Sequence, residues 1–284
     1  MIPELDPAVI RRSLDRAFRE DLGDTGDISA QATIDAGATA TATLVIRAAG
    51  TLAGIPLAIE AFRNRDPDVQ ITIFARDGQS VEAGFEAVLV RGNARAILTA
   101  ERTALNFLGH LSGIATATHH LVSLVAGTKA RVVDTRKTTP GLRALEKYAV
   151  RCGGGTNHRI GLYDAVMIKD NHILVNGSIT EAVRRARAEV GHLVKIEVEV
   201  SDLHQLEEAI AAGSDVVMLD NMSPEEVHQA VELTAGRVIL EASGGINATT
   251  IRAFAETGVD IISVGAITHS APNLDVALDV QIGS

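Results

Sequence analysis

From Val132 to the C-terminal region the chain repeats one pattern. Short apolar runs begin near Val132, Ala165, Val194, Val216, Val238 and Ile261. They recur roughly every 22 to 33 residues, the spacing of βαβ units. Between them lie helical patterns: Ile179 to Ala188, Leu203 to Ala212, Pro224 to Leu233 and Thr249 to Thr257. Strand, helix, strand at this spacing predicts a parallel sheet, because a parallel partner needs a crossover of about a dozen residues or more. Six such units can build an open doubly wound sheet or a (β/α) barrel. In either, ligands bind at the carboxyl ends of the strands.

The N-terminal part follows another pattern. Asp6 is placed to cap a first helix and Pro7 suits its first turn, with Ile10, Leu14, Phe18 and Leu22 giving an apolar stripe. Glu20 to Ser29 is acidic and Gly-rich and reads as a loop. Ala38 to Ala49 favours strand, Asp77-Gly78 a turn, and Ala87 to Val90 another short strand. A helix is expected from Arg95 to Leu111. Arg102 shares its apolar side with Leu98, Leu105 and Leu108, so it either marks a covered surface or snorkels to water.

The formal net charge of -10 argues against a broad nucleic-acid or acidic-membrane footprint. No apolar run approaches the ~18 residues of a membrane helix, and the N-terminus carries no signal-peptide pattern. The single cysteine, Cys152, allows no intrachain disulfide, which fits a cytoplasmic location. His119-His120 lacks zinc-ligand spacing, Gly153-Gly154-Gly155 is not a dinucleotide fingerprint, and there is no Gly-x-Ser-x-Gly elbow.

Each of the six apolar runs leads to polar or glycine residues. The ends are Asp134-Thr135-Arg136-Lys137, Lys169-Asp170-Asn171-His172, Glu197 with Glu199, Asp220-Asn221, Glu241-Ala242-Ser243-Gly244-Gly245, and Gly265-Ala266-Ile267-Thr268-His269. Arg136, Lys137, His158, Arg159 and Lys169 are cations or potential cations suited to carboxylates and phosphates. Glu199 and Asp220 supply opposite charge on neighbouring strands; they suit Mg2+ or ribose hydroxyls, or they pair with the nearby Lys and Arg. The glycines after the last two strands let backbone N–H groups approach a phosphate, or are ordinary turns.

The stretch Asp134 to Arg143 (DTRKTTPGLR), continued by Glu146-Lys147-Tyr148-Ala149-Val150, by Gly153 to Arg159 (GGGTNHR) and by Lys169 to Ile173 (KDNHI), resembles the quinolinate phosphoribosyltransferase family. Weaker matches run from Glu20-Asp21 through Glu101 to Asn106 and on to Gly265 and His269, so the resemblance spans nearly the whole chain. It implies an α/β protein: an incomplete parallel (β/α) barrel, residues 113–270, with an N-terminal α/β sandwich domain, residues 1–112, to which residues 271–284 return. It implies phosphoribosyl transfer from phosphoribosyl pyrophosphate to quinolinate with decarboxylation, with Mg2+ as cofactor. It also implies a homodimer whose active sites are shared across the interface.

Carried over by position, Arg102, Arg136, His158, Arg159 and Lys169 match quinolinate-binding residues, Arg102 reaching the partner's site. Lys137, Glu199 and Asp220 match the catalytic set, with Glu199 and Asp220 on the Mg2+ side. Lys137, Lys169, Glu199, Asp220, Ser243, Gly244, Gly245, Gly265 and His269 match the phosphoribosyl pyrophosphate site. Departures from the family pattern fall at Ser29 and Gly109-His110, outside the signature. The competing readings are a non-catalytic anion-binding relative associated with molybdate transport, a Schiff-base barrel lyase using Lys169, and a transferase acting on nicotinate, which has one carboxylate where quinolinate has two.

Overall fold

The computed structural model describes residues 4–282. In the first part of the chain, α1 (Pro7–Leu22) and α2 (Ile28–Thr33) precede β1 (Thr39–Ile46), β2 (Gly50–Thr51) and α3 (Ile55–Arg65). Then come β3 (Gln70–Ile73), β4 (Ser80–Val81), β5 (Phe85–Asn93) and the long α4 (Ala94–Leu124). The repeating part runs β6 (Arg131–Val133), α5 (Arg143–Cys152), β7 (Val166–Ile168), α6 (Asp170–Asn176), α7 (Ile179–Glu189), β8 (Ile196–Val200), α8 (Leu203–Ala211) and β9 (Val216–Asp220). It continues with α9 (Pro224–Thr234), β10 (Ile239–Ser243), α10 (Ile251–Glu256), β11 (Ile261–Ser263) and α11 (Ala266–His269), before β12 (Val276–Ile282).

These elements form two compact units. The first holds the described residues up to His119, the stretch Thr139–Gly154 and those from Ser270 onward; the second holds His120–Thr138 and Gly155–His269. Beside the expected domains, 1–112 with 271–284 and 113–270, the stretch Thr139–Gly154 groups with the first unit. The reason lies in α5, whose Glu146 accepts from His110 at 2.9 Å and whose Tyr148 donates to Asp77 at 2.7 Å. Both partners belong to the first unit, so α5 joins it although it lies between two strands of the second.

The first unit is built on a four-stranded antiparallel sheet of order β12-β1-β5-β3. In β1, Ala42 and Leu44 are buried and alternate with the partly exposed Thr41 and Thr43, the period of a strand with one face in the core. Asp6 caps α1 by accepting the Ala8 N–H at 2.8 Å, and Ile10, Leu14 and Phe18 are buried. The loop expected over Glu20 to Ser29 is shorter: α1 continues to Leu22, and Asp27 caps α2 by accepting the Ala30 N–H at 2.9 Å. The helix expected to end at Leu111 continues to Leu124. Its glycines Gly109 and Gly113, which cost helix stability, serve a close crossing by the returning chain. Leu274 N–H donates to Gly109 at 2.9 Å, and a Cβ on Gly113 would sit 2.1 Å from the Pro272 carbonyl oxygen.

The second unit holds a six-stranded sheet of order β6-β11-β10-β9-β8-β7, every pair parallel. All six expected strands are present. β6 and β7 are its two edges, as an incomplete barrel requires. Ile196, Val198 and Val200 of β8, Val217 and Leu219 of β9, Leu240 and Ala242 of β10 and Ile262 of β11 are buried on one face. The alternate residues face the other side, and there the pattern becomes polar.

Candidate active site

Strands buried on both faces in a parallel sheet are usually apolar throughout. Here the second face carries Met167, Glu197, Glu199, Met218, Asp220, Glu241, Ser243 and Ser263. Register aligns them: Met167 opposes Glu197, Met218 opposes Glu199 on one side and Glu241 on the other, and Ser243 opposes Asp220. Side-chain alternation thus turns one face of five adjacent strands into a polar wall. A pocket of about 370 Å³ opens against it, lined also by Thr135, Arg136, Lys137, His158, Arg159 and Lys169. Nine expected site residues therefore converge: Arg136, Lys137, His158, Arg159, Lys169, Glu199, Asp220, Ser243 and, through contact with Lys137, Gly265.

The cations come from loops that buried carboxylates anchor. Asp134, fully buried at the end of β6, accepts the His158 backbone N–H at 2.9 Å and the Asn157 side-chain amide at 2.6 Å. That holds residues 157–159 beside β6, where Val133 also bridges Thr156. The Arg159 guanidinium donates to the Ala165 carbonyl at 3.2 Å and lies 3.6 Å from the Met167 sulfur. Burial and the neighbouring Arg136 lower its pKa, while Glu197 and Asp164 oppose that shift. Lys169 bonds directly to Glu199 across β7 and β8.

His158 reaches two of the wall's carboxylates. Its Nε2 lies 3.1 Å from Glu197 and 3.5 Å from Glu241, and its Nδ1 accepts the Arg159 backbone N–H at 2.7 Å. Burial first, then the charge of Glu197, pushes the Glu241 carboxyl above the usual carboxylate range, and His158 partly offsets this. The sequence displayed Glu197 and Glu241 at strand ends but gave them no role. The signal was there in β8, Ile-Glu-Val-Glu-Val, where two acids alternate with β-branched residues inside an otherwise buried strand.

Gly244 and Gly245 follow β10 with φ of +100° and +64°, conformations that favour glycine. Gly265 lies beside both Lys137 and His269: a Cβ there would stand 3.1 Å from Lys137 Cδ and 3.4 Å from His269 Cδ2. Thr268 ties the two segments by donating to the Lys137 carbonyl at 2.8 Å. Asp220 accepts the side-chain amide of Asn221 at 2.8 Å, and Asn221 itself has φ of 56°. Arg102 is elsewhere. It is exposed on α4 and lines a hollow of about 520 Å³ in the first unit with Arg16, Glu20, Asp21, Asn106 and His110.

Fold and pocket together define a class: an incomplete α/β barrel whose strand ends carry a pocket lined by Arg136, Lys137, Arg159 and Lys169 and by the carboxylate pair Glu199 and Asp220. Comparison with known proteins narrows the class. Residues 27–112 match the family profile described as quinolinate phosphoribosyl transferase, N-terminal domain, and residues 114–279 match its C-terminal domain. The chain is 46% identical over 275 residues to the probable nicotinate-nucleotide pyrophosphorylase [carboxylating] of Bacillus subtilis, covering 97% of this chain and 94% of that protein. It is 42% identical to the Mycobacterium leprae nicotinate-nucleotide pyrophosphorylase [carboxylating], over 99% of this chain and all of that one. The solved nicotinate-nucleotide pyrophosphorylase of Francisella tularensis superposes with a TM-score of 0.93 at 45% identity, covering 99% of each chain. The chain belongs to the quinolinate phosphoribosyltransferase family.

Proposed function

We propose that this enzyme transfers the phosphoribosyl group of phosphoribosyl pyrophosphate to quinolinate, giving nicotinate mononucleotide, pyrophosphate and CO2 in pyridine nucleotide and NAD synthesis. The observation that carries this reading is the convergence of Arg136, Lys137, Arg159 and Lys169 with Glu199 and Asp220 on one pocket. Four cations in a protein of net charge -10 suit two polyanionic substrates that would otherwise repel each other.

Arg136, Arg159 and Lys169 take the two quinolinate carboxylates; the number of cations favours this dicarboxylate over nicotinate. Lys137 stands at the pyrophosphate, and the Ser243–Gly245 turn with Gly265 and His269 holds the 5'-phosphate. The pyridine nitrogen lone pair forms the bond to the anomeric carbon as the carbon–oxygen bond to pyrophosphate breaks and its electron pair leaves with pyrophosphate. Positive charge on the ribose is greatest midway, and the Glu199 and Asp220 carboxylates stabilise it. The ring nitrogen is now cationic, so the electron pair left on the adjacent carbon when CO2 departs is stabilised, and that carbon then takes a proton. Positioning the ring is the protein's share of this second step.

Glu199 and Asp220 also form a hard, all-oxygen donor set of the kind Mg2+ takes. Bound there, the ion would neutralise charge on the pyrophosphate. Lys169, which bonds to Glu199, also carries the charge that would pair with this carboxylate in place of an ion.

A homodimer with shared sites and a cytoplasmic setting complete the reading. Leu162 and Tyr163 in the loop after Arg159, and Leu174 and Val175 in α6 after Lys169, are 73–84% exposed. Large apolar side chains exposed in the very segments that follow two pocket cations support a covering partner. Exposed Arg102 suits the across-interface role. No helix among the described residues is long and apolar enough to cross a membrane.

The purified protein with quinolinate, phosphoribosyl pyrophosphate and Mg2+ is expected to yield nicotinate mononucleotide and CO2, and the Lys137→Ala variant is expected to yield neither. Retained quinolinate binding without product would overturn the reading in favour of a non-catalytic anion-binding protein.

A further inference from the structure

Two carboxylates buried beneath an anion-binding pocket need a reason. Glu197 and Glu241 are 6% and 2% exposed, and one oxygen of each, Oε1, is buried without a hydrogen-bond partner. Their other oxygens close on His158 Nε2 from two strands, β8 and β10, which flank β9. Because His158 Nδ1 accepts the Arg159 backbone N–H, the ring proton belongs on Nε2, where it faces the carboxylates. The three donor atoms lie within 4.8 Å of one another, the spacing of a metal site, but a protonated Nε2 builds the cluster around a proton instead.

The two carboxylates thus meet on His158, and His158 in turn meets Arg159. Its backbone N–H is held by His158 Nδ1, and the charge of Glu197 acts on its guanidinium. His158, which the family resemblance expects among the quinolinate ligands, has both ring nitrogens committed to the protein.

We infer that Glu197 and Glu241, acting through His158, are positioning residues that fix Arg159 for a substrate carboxylate. This rests on the reading of Arg159 as a quinolinate ligand. Glu197 and Glu241 are two buried like charges that repel each other, so neutralising one relieves repulsion and the pair is a poor source of stability. Their retention is explained by the geometry they impose on the arginine beside the pocket.

The test is steady-state kinetics of the full-length enzyme with Glu197→Gln, Glu241→Gln, Arg159→Lys and the Glu197→Gln/Arg159→Lys double variant, each with a thermal melt. Glu197→Gln is expected to raise the quinolinate KM by roughly fivefold or more, while the phosphoribosyl pyrophosphate KM stays within about twofold and the melting temperature holds or rises. In the Arg159→Lys background the same change is expected to add less than about twofold, since the partner it acts through is gone. Glu241→Gln, on a separate strand, gives the same reading should Glu197→Gln fold poorly. An unmoved quinolinate KM in both glutamine variants overturns the inference, as does an equal effect in both backgrounds. An Arg159→Lys enzyme with unchanged quinolinate KM removes instead the assignment of Arg159 on which it rests.

Discussion

The Tyr148 hydroxyl donates to Asp77 Oδ2 at 2.7 Å, and the same carboxylate receives the N–H groups of Gly54 and Ile55 at 2.9 and 3.0 Å. One side chain thus caps the start of α3 and anchors α5, a helix that belongs to the first unit yet lies between β6 and β7 in sequence. Burial and then the Asp77 charge raise the Tyr148 pKa well above its ordinary value, so the phenol stays a donor at any working pH. Tyr148→Phe is expected to cost about 1 kcal/mol and Asp77→Ala roughly 2–4 kcal/mol, since the latter also orphans two helix N–H groups. Urea unfolding would show this order; equal losses would mean the cap contributes nothing.

Asp215 precedes β9 and accepts from the Ile196 N–H, from Arg187 and from Lys195. Burial raises its pKa, but these three partners prevail and lower it from 3.8 to about 2. A carboxyl depressed on folding stabilises the protein above its unfolded value, and that stability is lost as pH falls through the folded value. The wild type is therefore expected to lose this contribution between about pH 4 and about pH 2. Asp215→Asn should be less stable at neutral pH and show a shallower acid limb in circular dichroism titrations. An unchanged acid limb would show that Asp215 is not linked to folding.

Glu199 and Asp220 are assigned to the transferring ribose, away from the quinolinate carboxylates. Asp220→Ala is accordingly expected to lower kcat by about 100-fold or more, the scale of a lost charge-stabilising group. Calorimetric quinolinate affinity should stay within about twofold on the same reasoning. Lost affinity with turnover intact would reverse the assignment.

Arg102→Ala and Lys137→Ala should each be nearly inactive. If Arg102 serves the partner's pocket, mixed dimers of the two variants regain one intact site. With random exchange half the dimers are mixed and one of two sites in each is whole, so about a quarter of wild-type activity should return. No recovery after verified subunit exchange would place the action of Arg102 within its own subunit.

Much of the second unit was legible in the sequence. Its apolar runs are short, separated by crossover helices and ended by polar residues, and those are local consequences of building a parallel sheet. The signature from Asp134 to Ile173 named the family because its matching residues fall in contiguous stretches of the chain. Less legible was anything whose partner lies far along the chain. The helix expected to end at Leu111 continues to Leu124, and its Gly109 and Gly113 are needed for contacts set by Leu274 and Pro272. The strand β12 acquires its place only by pairing with β1, and α5 joins the first unit through Asp77 and His110.

By itself, then, the sequence determined the parallel α/β unit, the cations at its strand ends and the family. Register decided the rest. Alternation along a strand is visible in the sequence, but which residues of five strands meet depends on how those strands are staggered. Only the fold brought Glu197 on β8 and Glu241 on β10 to the same ring nitrogen of one histidine, because burial and hydrogen bonding between strands are properties of the assembled sheet.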